Sequence, residues 1–130
     1  MTIYALSSGA GISGVAIIRI SGPESSRVIK ALTSKEIPVP RMATLRKINN
    51  INTSELIDEG IIIWFPGPES YTGEDMAEIH VHGGKAGVLA VQNEISKIQN
   101  CRLAEPGEFT KLAFQNGKIN LLKAESIADL

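Results

Sequence analysis

The sequence predicts an α+β domain, a mixed and mostly antiparallel sheet with helices packed on one face. Three observations predict it. Segments rich in β-branched residues are interspersed with segments of helical periodicity, in the order β-β-α-β-β-β-α-α-α. The links between the central strands are polar or turn-rich, which suits antiparallel neighbours. The chain has 130 residues, 43% hydrophobic and 21% charged, enough for one core of ordinary composition.

"TIYAL" reads as a first strand and "GVAIIRI" as a second. In "SGPESSRVIKALT", Ser21 and Glu24 have capping-box spacing, Pro23 suits a first helical turn, and Val28 and Leu32 form an apolar stripe. "IPVP" breaks that helix, "RMATLRKI" alternates as a third strand, and "NNINTSEL" is a polar loop. The continuous apolar run of "IDEGIIIWF" predicts a fourth strand buried on both faces. "PGPESYTGED" is a turn-rich connection, and "EDMAEIHVHGG" supplies a fifth strand.

Val88, Val91, Ile95 and Ile98 recur at helical spacing through "KAGVLAVQNEISKIQN". "EPGEFTKLAFQNGK" is a further helix, with Pro106 in its first turn and Asn116-Gly117 as its stop. "INLLKAESIADL" opens another helix from Asn120 and reaches Leu130 without a C-cap signal. The chain therefore reads as a fragment of a longer protein.

Composition excludes several function classes. No apolar run approaches the ~20 residues that span a bilayer, since "GIIIWF" has only six. "MTIYALSSG" lacks the basic and apolar regions of a secretory signal. One cysteine, Cys101, allows no internal disulfide, so a reducing, cytoplasmic location is expected. The net charge is −1 and the pI about 6.1, against a broad nucleic-acid-binding face. The basic clusters at 27–35, 41–47 and 111–123 read as solvated faces.

Gly9, Gly11 and Gly14 have G-x-G-x-x-G spacing, but they run into the β-rich "VAIIRI". A dinucleotide fingerprint needs a helix there, so that reading is rejected. "HGGKAG" is either a tight strand-to-helix turn at Gly83 and Gly84 or an anion contact beside Lys85. No G-x-x-x-x-G-K-[ST] phosphate loop occurs. Cys101 has no histidine near it in sequence and reads as a structural or surface thiol. On the fifth strand, Glu78, His80 and His82 share one face. That face is a ligand pocket, an exposed polar surface or, least favoured because nothing completes a tetrahedral set, a metal site.

"GVAIIRISG", "DEGIIIWFPGPESYTGEDMAEIHVHGG" and "EPGEFTKLAFQNGKINLLKAESIADL" resemble the N-terminal region of the MnmE (TrmE) family of tRNA-modification GTPases, over nearly the whole chain. The resemblance implies an N-terminal folate-binding and dimerisation domain over residues 1–118, similar to the tetrahydrofolate-binding domain of the glycine-cleavage T protein. Residues 119–130 would then begin a helical domain. It also implies a homodimer that works with the flavoprotein MnmG on carbon 5 of the wobble uridine of tRNA, adding an aminomethyl or carboxymethylaminomethyl group.

The one-carbon donor implied is 5-formyltetrahydrofolate or 5,10-methylenetetrahydrofolate. GTP, potassium and magnesium belong to a GTPase domain whose motifs are absent here, as is the family's C-terminal catalytic cysteine. No catalytic residue is thus expected in this chain, and no metal. The family's folate contacts fall on Arg19, Glu78 and Lys118. His82, Gly83 and Gly84 are expected to support the pocket, with Gly117 leaving Lys118 free to project into a cleft. His80 receives no role, because the family often carries another polar residue there. Asn120 departs from the usual aspartate after "GK" but remains a good N-cap. An alternative is a dimerisation module with a degenerate folate site.

Overall fold

The computed structural model describes residues 1–8 and 14–119. The helix expected from Asn120 lies outside the described residues, as do Gly9 and Gly11. The elements are β1 (Thr2–Ser8), β2 (Ala16–Ser21), α1 (Ser25–Thr33), β3 (Thr44–Asn49), β4 (Leu56–Phe65), β5 (Met76–Val81), α2 (Gly84–Ser96), β6 (Cys101–Leu103) and α3 (Glu108–Gln115). They build one six-stranded sheet in the order β3-β4-β5-β2-β1-β6. Every pairing is antiparallel except β1 with β6. The expected α+β class is observed. β6 is the addition, a three-residue strand that periodicity cannot signal.

Helices α1 and α2 cover one face. Ile18, Ile20, Ile62, Ala77, Ile79 and Val81 of the sheet are fully buried there, against Val28, Ile29 and Leu32 of α1 and Val91 and Ile95 of α2. The predicted stripes therefore point inward. β4 corrects an expectation. Its Gly60, Ile62 and Trp64 are buried, whereas Ile61, Ile63 and Phe65 are only half-buried. The reason is that α1 and α2 lie on one side alone, leaving the second face to the 66–75 loop and to α3.

The ends of the helices also differ from expectation. α1 begins at Ser25 with Glu24 as N-cap and no side-chain capping bond. Ser21 does not cap it. Its buried hydroxyl lies 2.8 Å from Thr72 Oγ1 and donates at 2.8 Å to Glu74 Oε1, so the 66–75 loop has claimed it. Pro23 falls in the turn before the helix. β3 starts later than predicted because Arg41 has φ of +63° and donates its N–H to Trp64 O, a turn that delays the extended run. Pro106 likewise precedes α3, whose N-cap is Gly107 with φ of +76°.

The C-terminus of α3 follows the predicted stop. Gly117 has φ of +73°, its N–H bonds Phe114 O, and the Lys118 N–H bonds Ala113 O, the paired bonds of a Schellman motif.

Candidate functional site

Register places the candidate residues on the sheet face away from α1 and α2. Across β1, β2, β5 and β4 the pairs Ala5↔Arg19, Arg19↔Glu78 and Glu78↔Ile63 form one row. A neighbouring row holds Ile17, His80 and Ile61. Arg19 and Glu78, 59 residues apart in sequence, thus stand side by side because β2 and β5 are sheet neighbours.

Arg19 Nη2 lies 3.5 Å from Glu78 Oε2, with the two side chains 31% and 20% exposed. That is long for a charge-assisted bond, whose usual range is about 2.7–2.9 Å. Glu78 Oε1 is 3.1 Å from His80 Nε2. His80, given no role by sequence, is therefore a direct partner of Glu78. Arg19 Nε is buried and finds no acceptor among the described residues. Among the described residues the guanidinium is consequently short of acceptors, an arrangement that favours binding an oxygen-bearing ligand.

Beside Arg19 opens a cleft of about 490 Å³. One wall is β1, through Ala5 and Ser7, and the other is α3, through Phe109 and Thr110. Arg19, Tyr71 and residues 104–107 complete the lining. Tyr71 places its ring 5.5 Å from Arg19 Cζ and shares a hydrogen bond of 3.2 Å with Thr110 Oγ1.

α3 is fastened mainly by polar contacts. Arg102 on β6 donates from Nη1 at 2.8 Å to Glu108 Oε1, and Asn116 Nδ2 donates at 2.7 Å to Thr72 O. The Arg102 bond, aided by the Glu105 N–H and against the upward push of burial, holds the Glu108 carboxyl below its ordinary pKa.

The predicted residues do not all converge. Arg19 lines the cleft. Glu78 sits on the β5 side of Arg19, outside the lining. Lys118 is exposed and also outside it, its stem packed over Gly73, where an added Cβ would lie 3.2 Å from Lys118 Cε. His82 and Gly83 are exposed at the C-terminal end of β5 and, with Gly84, do not line the cleft.

There the His82 N–H donates at 2.7 Å to Asp58 Oδ2, and Gly84 turns with φ of +58°. A Cβ on Gly83 would lie 2.6 Å from Gly87 Cα, so close backbone approach requires glycine. Tyr71, Thr110 and Phe109 were not singled out in the sequence. The only available signal was their place inside "SYTGED" and "PGEFT".

The GTP-binding protein TrmE N-terminus family matches residues 2–118. The chain belongs to this family. It is 75% identical over its full length to a tRNA modification GTPase MnmE of Pelagibacter ubique, covering 29% of that protein. It is 44% identical to the MnmE of Parvibaculum lavamentivorans, over 99% of this chain and 30% of that one. It is 48% identical to a human mitochondrial protein described as a 5-taurinomethyluridine tRNA synthase subunit, over 99% of this chain and 26% of that one. The chain thus spans less than a third of the length of these relatives. The resemblance read from the motifs holds at family level. No helix among the described residues is long and apolar enough to cross a membrane.

Proposed function

We propose that the chain is the folate-binding and dimerising domain of a cytoplasmic tRNA-modification GTPase. The observation that carries the binding assignment is the Arg19–Glu78 pair, with the buried unpartnered Arg19 Nε, at the edge of a cleft of about 490 Å³. A pocket of that size suits a drug-sized ligand. A reduced folate offers what these side chains lack. Its pterin ring presents an amino group and an adjacent N–H, two parallel donors for the Glu78 carboxylate. Its ring carbonyl and glutamyl carboxylates are acceptors for Arg19 and Lys118. The bound 5-formyl- or 5,10-methylenetetrahydrofolate would supply a one-carbon unit.

In the whole protein, that unit would be used with the flavoprotein MnmG at carbon 5 of the wobble uridine of tRNA. The name of the human relative, which specifies a 5-substituted uridine in tRNA, supports that chemistry. GTP, potassium and magnesium would act in a domain outside this chain.

A second reading, a dimerisation module with a degenerate site, is favoured by one observation: Glu78 and Lys118 do not line the cleft. Calorimetric titration of 5-formyltetrahydrofolate separates the two. The wild type should bind, and Glu78→Gln should cost on the order of 2–4 kcal/mol, a thirtyfold to thousandfold loss, by leaving pterin donors unpaired. Arg19→Ala and Lys118→Ala should cost less if they meet a solvated tail. Wild-type affinity in Glu78→Gln would rule out the pterin assignment.

A further inference from the structure

Tyr71 stands on a loop that is held before its ring is considered. Its neighbour Thr72 is fully buried, with Oγ1 2.8 Å from Ser21 Oγ and its carbonyl accepting from Asn116 Nδ2 at 2.7 Å. On the other side, the Ser70 hydroxyl donates to Glu74 O. The backbone at residue 71 is therefore pinned from both directions. The ring is then tied at its far end by the hydroxyl's bond to Thr110. Arg19 is the opposite case. It is a long side chain whose one ionic contact among the described residues is the loose 3.5 Å approach to Glu78, and its Nε has no acceptor among those residues. Such a guanidinium, 31% exposed, would sample several rotamers unless something else fixes its plane. The face of Tyr71, 5.5 Å from Arg19 Cζ, is within cation–π range.

We propose that Tyr71 is a positioning residue: its ring holds the Arg19 guanidinium between Glu78 and the cleft, ready for an anionic or carbonyl oxygen of the ligand. The inference rests on the folate assignment above. It divides the side chain's work in two. The ring acts on Arg19, while the hydroxyl anchors α3 through Thr110. Removal of the hydroxyl alone thus leaves Arg19 in place, and removal of the ring does not.

The test combines binding with a spectroscopic readout on the ligand-free chain. Affinity for 5-formyltetrahydrofolate should fall about five- to thirtyfold in Tyr71→Leu and stay within about threefold of wild type in Tyr71→Phe. Because Tyr71 acts through Arg19, Tyr71→Leu added to Arg19→Ala should cost no further affinity. The Arg19 Nε–H resonance should carry a ring-current shift in wild type and Tyr71→Phe and lose it in Tyr71→Leu. Thr110→Val, which frees the hydroxyl but keeps the ring, should leave that shift intact.

Additive losses in the double variant would mean that Tyr71 meets the ligand directly and would overturn the proposal. So would an Arg19 signal that is the same with and without the ring. Absence of folate binding by the wild type would refute the folate assignment itself, and the ligand-free Arg19 signal would still decide whether Tyr71 holds the guanidinium.

Discussion

Glu94 is the most informative position for testing how the fold is held. It lies on α2 with its side chain 6% exposed, yet it faces the β3–β4 turn rather than any candidate site. Its Oε1 accepts the Ile51 N–H at 2.8 Å, and its Oε2 accepts from Lys97 Nζ at 2.7 Å and more weakly from Asn50 Nδ2 at 3.5 Å. Burial by itself would raise the pKa of this carboxyl. The Lys97 ammonium and the Ile51 N–H outweigh it, so the value is lowered from 4.5.

Glu94→Ala removes the acceptor and strands the Ile51 N–H, a loss of about 1–3 kcal/mol. The Lys97 pair adds at most about 1 kcal/mol, because that ammonium is 42% exposed and screened. About 1–4 kcal/mol is therefore expected in urea denaturation, and about half that for Glu94→Gln, which keeps an acceptor. The sign of the pH dependence follows from the lowered pKa. The charge contributes stability above the unfolded value of about 4.5, and that contribution is lost as pH falls through the folded value. The gap between wild type and Glu94→Gln should then narrow between pH 7 and pH 3.5. Taking the difference removes the parallel effect of Glu108, which is common to both proteins. A Glu94→Ala variant within about 0.5 kcal/mol of wild type, or a gap independent of pH, would refute the reasoning.

Gly83→Ala should destabilise by about 1–3 kcal/mol in the same assay, because its Cβ would meet Gly87 Cα at 2.6 Å. Gly84→Ala should cost only the roughly 1–2 kcal/mol of its +58° φ, since nothing lies within 4 Å of the added carbon. Light scattering should give twice 13.9 kDa at tens of micromolar, and Ile61→Glu, half-buried on the sheet face away from α1 and α2, should return the monomer mass. A wild-type monomer would count against dimerisation.

Helices and strands with strong periodicity were legible in the sequence, and Val28, Leu32, Val91 and Ile95 are where their spacing put them. Glu94 shows the limit. Periodicity assigns Ile95 inward and leaves its charged neighbour outward by default. Yet Glu94 is buried, because a backbone N–H from a distant turn needs an acceptor there. Ser21 shows the same limit from the other side. Its capping spacing was sound locally, and a loop fifty residues later competed for the hydroxyl. In the candidate site, the motif residues Arg19 and Glu78 were legible, but their adjacency depends on β2 pairing with β5, and strand order is not written in local pattern.

The cleft itself depends on the element that the sequence concealed. β5 and β6 both run parallel to β1, so β5, α2 and β6 form a split βαβ unit with β2 and β1 between them. The crossover takes the chain from the middle of the sheet, over the helical face, to the far edge. β6 needs only three residues to dock there, and the Ala104 N–H prolongs the contact by bonding Tyr4 O. Gly107, at φ of +76°, then redirects the chain so that α3 starts beside the opposite face. Without that edge strand α3 would have no fixed origin. With it, Phe109 and Thr110 are brought opposite Ala5 and Arg19, and a flat sheet surface becomes a walled cleft.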